Sequence, residues 1–187
     1  MRKSPLRERH ADGGATFAPY GPPEAEVLLV ETFGEVGLEY ASLRSGCILL
    51  DQPHRGTIEV AGPDRVAFLN RMLTQELKDL SPGDVRRSFW LNRKGRIDAD
   101  LRLIELGDRT ILDLDVHAVS RAVEGLSAFV ITEDVQIADR TEAFHRLALH
   151  GPRAGSVMDQ VSPGAGSLAH RKAMTATGWV VFRDDTT

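Results

Sequence analysis

The segment with the clearest potential for chemistry, Arg96 to Leu103, alternates between ionisable and apolar side chains. Successive side chains of a β-strand point to opposite faces, so this pattern predicts a half-buried strand. Its ionisable members are Asp98, Asp100 and Arg102, and its apolar members are Ile97, Ala99, Leu101 and Leu103. Two carboxylates on one accessible face can accept hydrogen bonds from a ligand that is rich in N–H donors.

A second strand is predicted from Arg109 to Val116, after the dipeptide Gly107-Asp108. Glycine at the first central position suits a two-residue type II′ hairpin loop, and such a loop fixes the register of both strands. On the apolar face this register pairs Leu103 with Leu112, Leu101 with Leu114 and Ala99 with Val116. On the ionisable face it pairs Arg102 with Asp113, Asp100 with Asp115 and Asp98 with His117.

The predicted pairing of Asp100 with Asp115 allows two interpretations. Like charges directly across a sheet are destabilising, whereas the other two pairs on this face are favourable. In the first interpretation the face is solvated, and water reduces the repulsion. In the second it is a binding surface whose acceptors meet a donor-rich ligand. A reduced pterin, with its ring N–H groups and exocyclic amine, has this chemistry.

The elements that must position this hairpin are mostly strands joined by short turns. Further strands are predicted at 56–61, 85–91, 135–137, 147–149 and 179–182, and helices at 24–45, 63–73, 119–129 and 152–158. This pattern predicts the α+β class, with antiparallel sheets and packed helices. Residues 1–23 are polar and rich in glycine and proline, which predicts a flexible, poorly ordered lead-in.

Composition argues against several functional classes. A net charge of −4 disfavours a nucleic-acid partner, which needs a basic surface. The single cysteine, Cys47, cannot form an intramolecular disulfide, which favours a reducing compartment. No apolar run approaches the roughly 20 residues that span a bilayer, and no apolar region of a secretory signal follows the basic N-terminus. The predicted location is therefore the cytoplasm, with no membrane partner.

Familiar catalytic motifs do not occur in the sequence. The glycines do not form a dinucleotide fingerprint or a phosphate-binding P-loop, and no Gly-x-Ser-x-Gly elbow presents a nucleophile. The six histidines are scattered, with no His-x-x-x-His spacing, so no metal site is predicted.

Several stretches resemble the superfamily of the glycine-cleavage T-protein (aminomethyltransferase) and the YgfZ proteins, in the same order along the chain. Asp51-Gln52-Pro53-His54-Arg55-Gly56 resembles the Asp-x-Ser-His-x-Gly turn, and Thr57 to Leu73 resembles the strand and helix that follow it. Leu91-Asn92-Arg93-Lys94-Gly95-Arg96-Ile97 resembles the Leu-Asn-x-x-Gly-x-Ile segment before the folate-site strand. Leu147-Ala148-Leu149-His150-Gly151-Pro152 resembles Leu-x-Leu-Gln-Gly-Pro.

The resemblance implies a folate-binding domain over residues 24–187 and tetrahydrofolate, or a one-carbon derivative of it, as the cofactor. In the aminomethyltransferases, tetrahydrofolate takes a one-carbon unit from an aminomethyl-lipoyl carrier protein, and ammonia leaves. The resemblance places the essential folate-site aspartate, the candidate catalytic residue, at Asp100. It places a second pterin-facing residue, usually Asn, at Asp115. The other candidate folate-binding residues are Asn92, Asp98 and His117.

Departures from the enzyme pattern favour the YgfZ-like branch, which binds folate and is linked to iron–sulfur cluster upkeep. This chain has Gly95-Arg96 and Ala99-Asp100 where the enzymes have paired glycines and paired aspartates. Three hypotheses follow: a YgfZ-like folate-binding protein with iron–sulfur protein partners, an aminomethyltransferase with a lipoylated carrier partner, or a protein-binding scaffold without folate. Whether the chain is an enzyme stays open among them.

The end of the chain carries a separate expectation. The apolar strand Trp179 to Phe182 needs a neighbour to cover it, yet the sequence continues only to Thr187. The strand could be an edge strand followed by a frayed tail, or the chain could end within a domain. We expect the second, a folate-binding domain that is truncated at its C-terminal end.

Overall fold

The computed structural model describes residues 2–184 as an assembly of helices and antiparallel strands. The helices are α1 (Arg7–Asp12), α2 (Val36–Ser45), α3 (Arg65–Met72), α4 (Val119–Ser127) and α5 (Ala154–Val161). The strands are β1 (Thr16–Tyr20), β2 (Val27–Thr32), β3 (Ile48–Asp51), β4 (Arg55–Ala61), β5 (Val85–Leu91), β6 (Ile97–Glu105), β7 (Arg109–Asp115), β8 (Gln136–Asp139), β9 (Leu147–His150), β10 (Lys172–Ala176) and β11 (Trp179–Arg183). The pairs β1–β2, β3–β9, β4–β8, β5–β6, β6–β7 and β10–β11 are antiparallel, which confirms the α+β class.

The described chain divides into two compact units. Unit 1 comprises residues 2–55 and 145–167, and unit 2 comprises residues 56–144 and 168–184. Met1 of the predicted lead-in and residues 185–187 of the predicted domain lie outside the described residues. No helix within residues 2–184 is both long and apolar enough to cross a membrane.

Unit 2 is built on a five-stranded sheet with the order β5-β6-β7-β4-β8. Helices α3 and α4 cover one face of it, and their apolar side chains join those of the sheet in a continuous core. The buried members of this core include Ile58, Val60, Phe68, Leu69, Leu101, Leu103, Leu112, Leu114 and Leu126. Burial of these side chains, each worth about 1.5–3 kcal/mol, holds the helices on the sheet.

The β10–β11 hairpin packs against the second face of the sheet. Val180 and Phe182 from β11, with Ala173 from β10, contact Val85 of β5 and Ile104 of β6. The strand Trp179–Arg183 therefore does have the apolar neighbour that its sequence requires. Trp179 itself remains half exposed.

The hairpin between β6 and β7 follows the register predicted from its turn. Gly107 has a φ of 96°, the left-handed backbone that a type II′ loop needs at this position. Three predicted pairs are confirmed: Leu103 with Leu112, Arg102 with Asp113 and Leu101 with Leu114. The paired ladder ends there.

A β-bulge interrupts the pairing of β5 with β6 near their turn. Trp90 pairs with Ala99 and Leu91 pairs with Ile97, so Asp98 is the extra residue on β6. The bulge rotates the end of the strand. As a result Ile97, predicted to share the buried face of Ala99, is 59% exposed.

Unit 1 contains the β1–β2 hairpin and the β3–β9 pair. Residues 7–12 and 16–20, predicted as part of a poorly ordered lead-in, instead form α1 and β1. The predicted helix over residues 24–45 is also wrong in its first half, because Val27–Thr32 is a strand paired with β1. The apolar run Val27 to Val30 fits either structure by composition, and only the partner strand decides between them. Gly34, with a φ of 105°, separates this strand from α2.

The N-terminal segment is held in unit 1 by polar contacts with Asp51, the last residue of β3. His145 Nε2 lies 2.6 Å from Asp51 Oδ1 and His10 Nε2 lies 2.9 Å from Oδ2, which also accepts from the Ser4 hydroxyl. The Asp51 side chain is only 3% exposed. Burial opposes its ionisation, but the hydrogen bonds from His145, Ser4 and His10 outweigh burial and hold the pKa of Asp51 below its ordinary value.

We predict that Asp51→Asn destabilises the fold at neutral pH by about 1–3 kcal/mol, because an amide has only one oxygen to accept these hydrogen bonds. Because the pKa of Asp51 is lowered in the folded state, its ionisation stabilises the fold at pH values above its unfolded-state pKa. This stabilisation is lost as the pH falls through its folded-state pKa. The difference from wild type should therefore shrink below pH 3.8. Denaturant unfolding at several pH values measures this difference in the free energy of unfolding. Asp12→Asn, at an exposed position of α1, is the control.

We predict that Gly125→Val destabilises unit 2. A Cβ atom at Gly125 of α4 would lie 2.3 Å from Cη2 and 2.5 Å from Cζ2 of the buried Trp90 ring. Overpacking of this kind costs about 1–3 kcal/mol. Ser127→Val, at an exposed position of the same helix, controls for β-branching. Equal free energies of unfolding for the two variants, from denaturant titration, would contradict the close packing.

Candidate functional site

The polar cluster lies on the second face of the unit 2 sheet, beyond the apolar patch that the β10–β11 hairpin covers. It consists of Arg87 on β5, Asp100 and Arg102 on β6, Asp113 on β7 and Asp184 after β11. Arg102 pairs in register with both Arg87 and Asp113, so these side chains share one face of the sheet.

Ion pairs link the members of the polar cluster. Arg102 Nη1 lies 3.7 Å from Asp113 Oδ2, and Arg102 Nε donates to the Asp184 carboxylate. Asp113 is buried, and its opposite charge partner offsets the cost of removing a carboxylate from water. This buried end of the cluster has the character of a structural ion pair.

Asp100 lies at the open end of the cluster, where its side chain is 45% exposed. Arg87 binds it with both arms of the guanidinium: Nε lies 3.0 Å from Oδ1 and Nη2 lies 2.5 Å from Oδ2. This hydrogen bonding, reinforced by charge attraction, raises the pKa of Arg87. The carboxylate is therefore accessible and already oriented by a donor pair.

Asp98 and Asn92 organise the β5–β6 turn. Asn92 Nδ2 donates to Asp98 Oδ1 at 3.0 Å, and Arg121 Nη2 donates to Oδ2 at 2.8 Å. Asn92 Oδ1 accepts from the backbone N–H groups of Lys94 and Arg96. Only 8% of the Asp98 side chain is exposed, so both residues are engaged in holding the turn rather than presented to solvent.

Asp115 and His117 lie where β7 ends. Asp115 Oδ1 accepts from the backbone N–H of His117 at 2.9 Å and caps the 3-10 turn Val116–Ala118. The predicted cross-strand pairs of His117 with Asp98 and of Val116 with Ala99 are therefore wrong, because the chain leaves the sheet at this turn. The pairing of Asp100 with Asp115, one step beyond the ladder, stays a prediction.

The structure separates the candidates that sequence reasoning grouped together. Asp100 is an accessible acceptor, Asp98 and Asn92 belong to the turn, and Asp115 and His117 belong to the end of β7. Sequence reasoning missed Arg87. Without the bulge, β5 and β6 would pair so that Arg87 lies opposite Leu101 and faces the core. The alternation pattern alone therefore gives no signal for the contact of Arg87 with Asp100.

A reduced folate would need accessible carboxylate oxygens to accept hydrogen bonds from its N–H groups. A carboxylate offers about four lone-pair sites, and Arg87 uses two of those on Asp100. The Asp100 side chain is half exposed, so N–H donors of a ligand can reach its carboxylate. The donor chemistry of a reduced pterin thus fits Asp100, whereas Asp98 has little accessible surface to offer.

A comparison with known families decides the relationship. Residues 6–180 match the model of the GCVT N-terminal domain. The chain belongs to this family. This confirms the superfamily that the sequence motifs indicated.

Individual relatives agree with the family assignment. The chain is 29% identical over 182 residues to an aminomethyltransferase of Desulforamulus reducens, covering 92% of this chain and 46% of the relative. It is 31% identical over 160 residues to one from a Parafrankia species, covering 84% and 43%. A crystal structure of the glycine cleavage system aminomethyltransferase T from Bartonella henselae superposes with a TM-score of 0.81 at 26% identity, covering 92% of this chain and 46% of that one.

The chain therefore spans about half the length of the aminomethyltransferases it matches. These relatives support the aminomethyltransferase side of the superfamily. They give no support to the YgfZ-like branch that Arg96 and Ala99 favoured, nor to iron–sulfur partners.

Proposed function

We propose that this chain supplies the tetrahydrofolate-binding portion of an aminomethyltransferase of the glycine-cleavage type. The observation that carries the proposal is the half-exposed carboxylate of Asp100, on the strand whose motifs resemble the folate site of the family. The matched family and the aminomethyltransferase relatives support it. The proposed partner is a lipoylated carrier protein, which bears the one-carbon unit.

Asp100 has a positioning role in this proposal. Reduced folate, when bound, supplies the nitrogen that takes up the one-carbon unit. The fixed negative charge of Asp100 orients an N–H group of the ligand, so that the reacting nitrogen approaches the activated methylene in a productive geometry. The rigid sheet beneath Asp100 keeps this acceptor in place, because Leu101 and Ala99 on either side of it are buried in the core.

The other candidate residues have supporting roles. Asp98 and Asn92 fix the turn that precedes Asp100, so they act on the ligand only through the shape of the strand. Asp115 lies one position beyond the end of the paired ladder, and its carboxylate is the further acceptor proposed to face the ligand. His117 shapes the end of β7 through its backbone bond to Asp115.

We predict that Asp100→Ala weakens tetrahydrofolate binding by about 10- to 150-fold. The substitution removes a charge-assisted acceptor of the kind worth about 1.5–3 kcal/mol, and each 1.4 kcal/mol corresponds to about tenfold in affinity. Calorimetric titration of the chain with tetrahydrofolate measures the change. Asp108→Ala, in the exposed β6–β7 turn, makes the same change in net charge and serves as the control.

The stability of the Asp100 variant separates a binding role from a structural one. Asp100 is half exposed, so its thermal unfolding should remain close to that of wild type. Equal affinities for wild type and Asp100→Ala would remove this face from the folate site. A scaffold that binds no folate would show no binding heat in either protein.

Aminomethyl transfer can be assayed directly. We expect the chain, within its full-length protein, to release ammonia from an aminomethyl-lipoyl carrier protein when tetrahydrofolate is present. Ammonia release is followed by a coupled enzymatic assay, with omission of tetrahydrofolate as the control. Folate binding without ammonia release would contradict the transferase proposal and favour a YgfZ-like role.

A further inference from the structure

Arg87 already binds the Asp100 carboxylate, which is the hydrogen-bond acceptor that the proposed ligand would use. Its guanidinium donates two hydrogen bonds to Asp100, at 3.0 Å and 2.5 Å, one to each carboxylate oxygen. A two-bond contact of this kind adds both energy and geometric specificity to an arginine–carboxylate pair. A ligand that presents N–H donors to Asp100 therefore meets an oxygen pair that already carries donors.

The position of Arg87 results from the β-bulge at Asp98. With the bulge, Arg87 pairs with Arg102 and Phe89 pairs with Asp100, so Arg87 and Asp100 lie diagonally on the same face. The guanidinium also lies 5.9 Å from the centre of the Phe89 ring. The contact is thus built into the strand pairing, and it is not a chance encounter of two mobile surface side chains.

A second carboxylate, that of Asp184, belongs to the same polar cluster as Arg87. Asp184 accepts from Arg102, which lies directly across the strands from Arg87, and its charge contributes to the raised pKa of Arg87. The Arg87 side chain is 59% exposed, so water also reaches it. A guanidinium released from Asp100 is therefore hydrated by solvent.

We propose that Arg87 is an internal competitor for Asp100 and thereby sets the affinity and selectivity of the site. This inference rests on the proposed folate-binding function. The guanidinium is itself a planar group with paired N–H donors, so only a ligand with donors of matching strength and spacing displaces it. Ligands with a single weak donor leave Arg87 in place and bind poorly.

The test is a double-mutant cycle on tetrahydrofolate binding, measured by calorimetric titration. Removal of a half-exposed ion pair that competes with the ligand should tighten binding. Arg87→Ala should therefore lower Kd by about 1.4- to 5-fold, corresponding to the roughly 0.2–1 kcal/mol that exposed pairs contribute. In an Asp100→Ala background the same substitution should leave Kd unchanged, because there is no longer a shared acceptor.

Arg86→Ala is the matched control. It removes the same charge from the neighbouring position of β5, but Arg86 contacts Asp79 and Asp84 rather than Asp100. A general electrostatic effect on the anionic tail of folate would appear equally in Arg86→Ala and Arg87→Ala. Circular dichroism and thermal unfolding establish that each variant folds before its affinity is compared.

The outcomes separate this inference from the proposed function. If Asp100→Ala weakens binding while Arg87→Ala weakens it or leaves it unchanged, Arg87 is not a competitor, and the folate site at Asp100 still stands. If the effect of Arg87→Ala persists without Asp100, the competition is again refuted. If neither Asp100→Ala nor Arg87→Ala affects binding, both the inference and the proposed site fail.

Discussion

The pairing of β6 with strands on both sides is the constraint on which the rest of unit 2 depends. The ladder to β7 fixes which side chains face the helices and which face the β10–β11 hairpin. Because side chains alternate with a period of two, a slip of one residue would exchange the buried leucines for charged groups. The large cost of that exchange locks the register, and the register in turn places Asp100 and Arg102 on the same face.

The second face of the sheet changes character along the strand. At the Ile104 end the β10–β11 hairpin covers apolar side chains, and in the middle Arg102 joins Asp113 and Asp184. At the Asp100 end the carboxylate is half exposed to solvent. One face of the sheet therefore combines buried structural contacts with an accessible acceptor.

Short-range patterns were sufficient to predict much of this architecture. The alternation from Arg96 to Leu103 predicted β6, and Gly107 predicted the turn and register of the β6–β7 hairpin. The same argument failed beyond Leu114, because nothing in the alternation shows that Asp115 ends the strand and caps a turn. It also failed at Val27 to Val30, where an apolar run fits a helix or a strand until its partner is known.

The candidate site was less predictable than the fold, and for a specific physical reason. One extra residue at Asp98 shifts the β5–β6 register and rotates Arg87 from the core face to the polar face. A bulge has no reliable signature in a single sequence, since its energy depends on contacts such as those of Asp98 with Asn92 and Arg121. Asp100 was found because the alternation from Ala99 to Leu103 holds in the structure, whereas its arginine partner lies across the irregular pairing with β5.

The contacts of Asp51 bear on how the protein is handled in the laboratory. Residues 2–12 have the composition of a dispensable tail, and a cloning boundary at Gly13 or Gly14 would look harmless. Such trimming would remove Ser4 and His10, leaving a buried carboxylate with His145 alone among these three partners. An affinity tag fused without a spacer would also crowd Arg2, whose guanidinium donates to the carbonyl oxygens of Pro53 and Arg55. Tags at this end are best separated by a flexible linker.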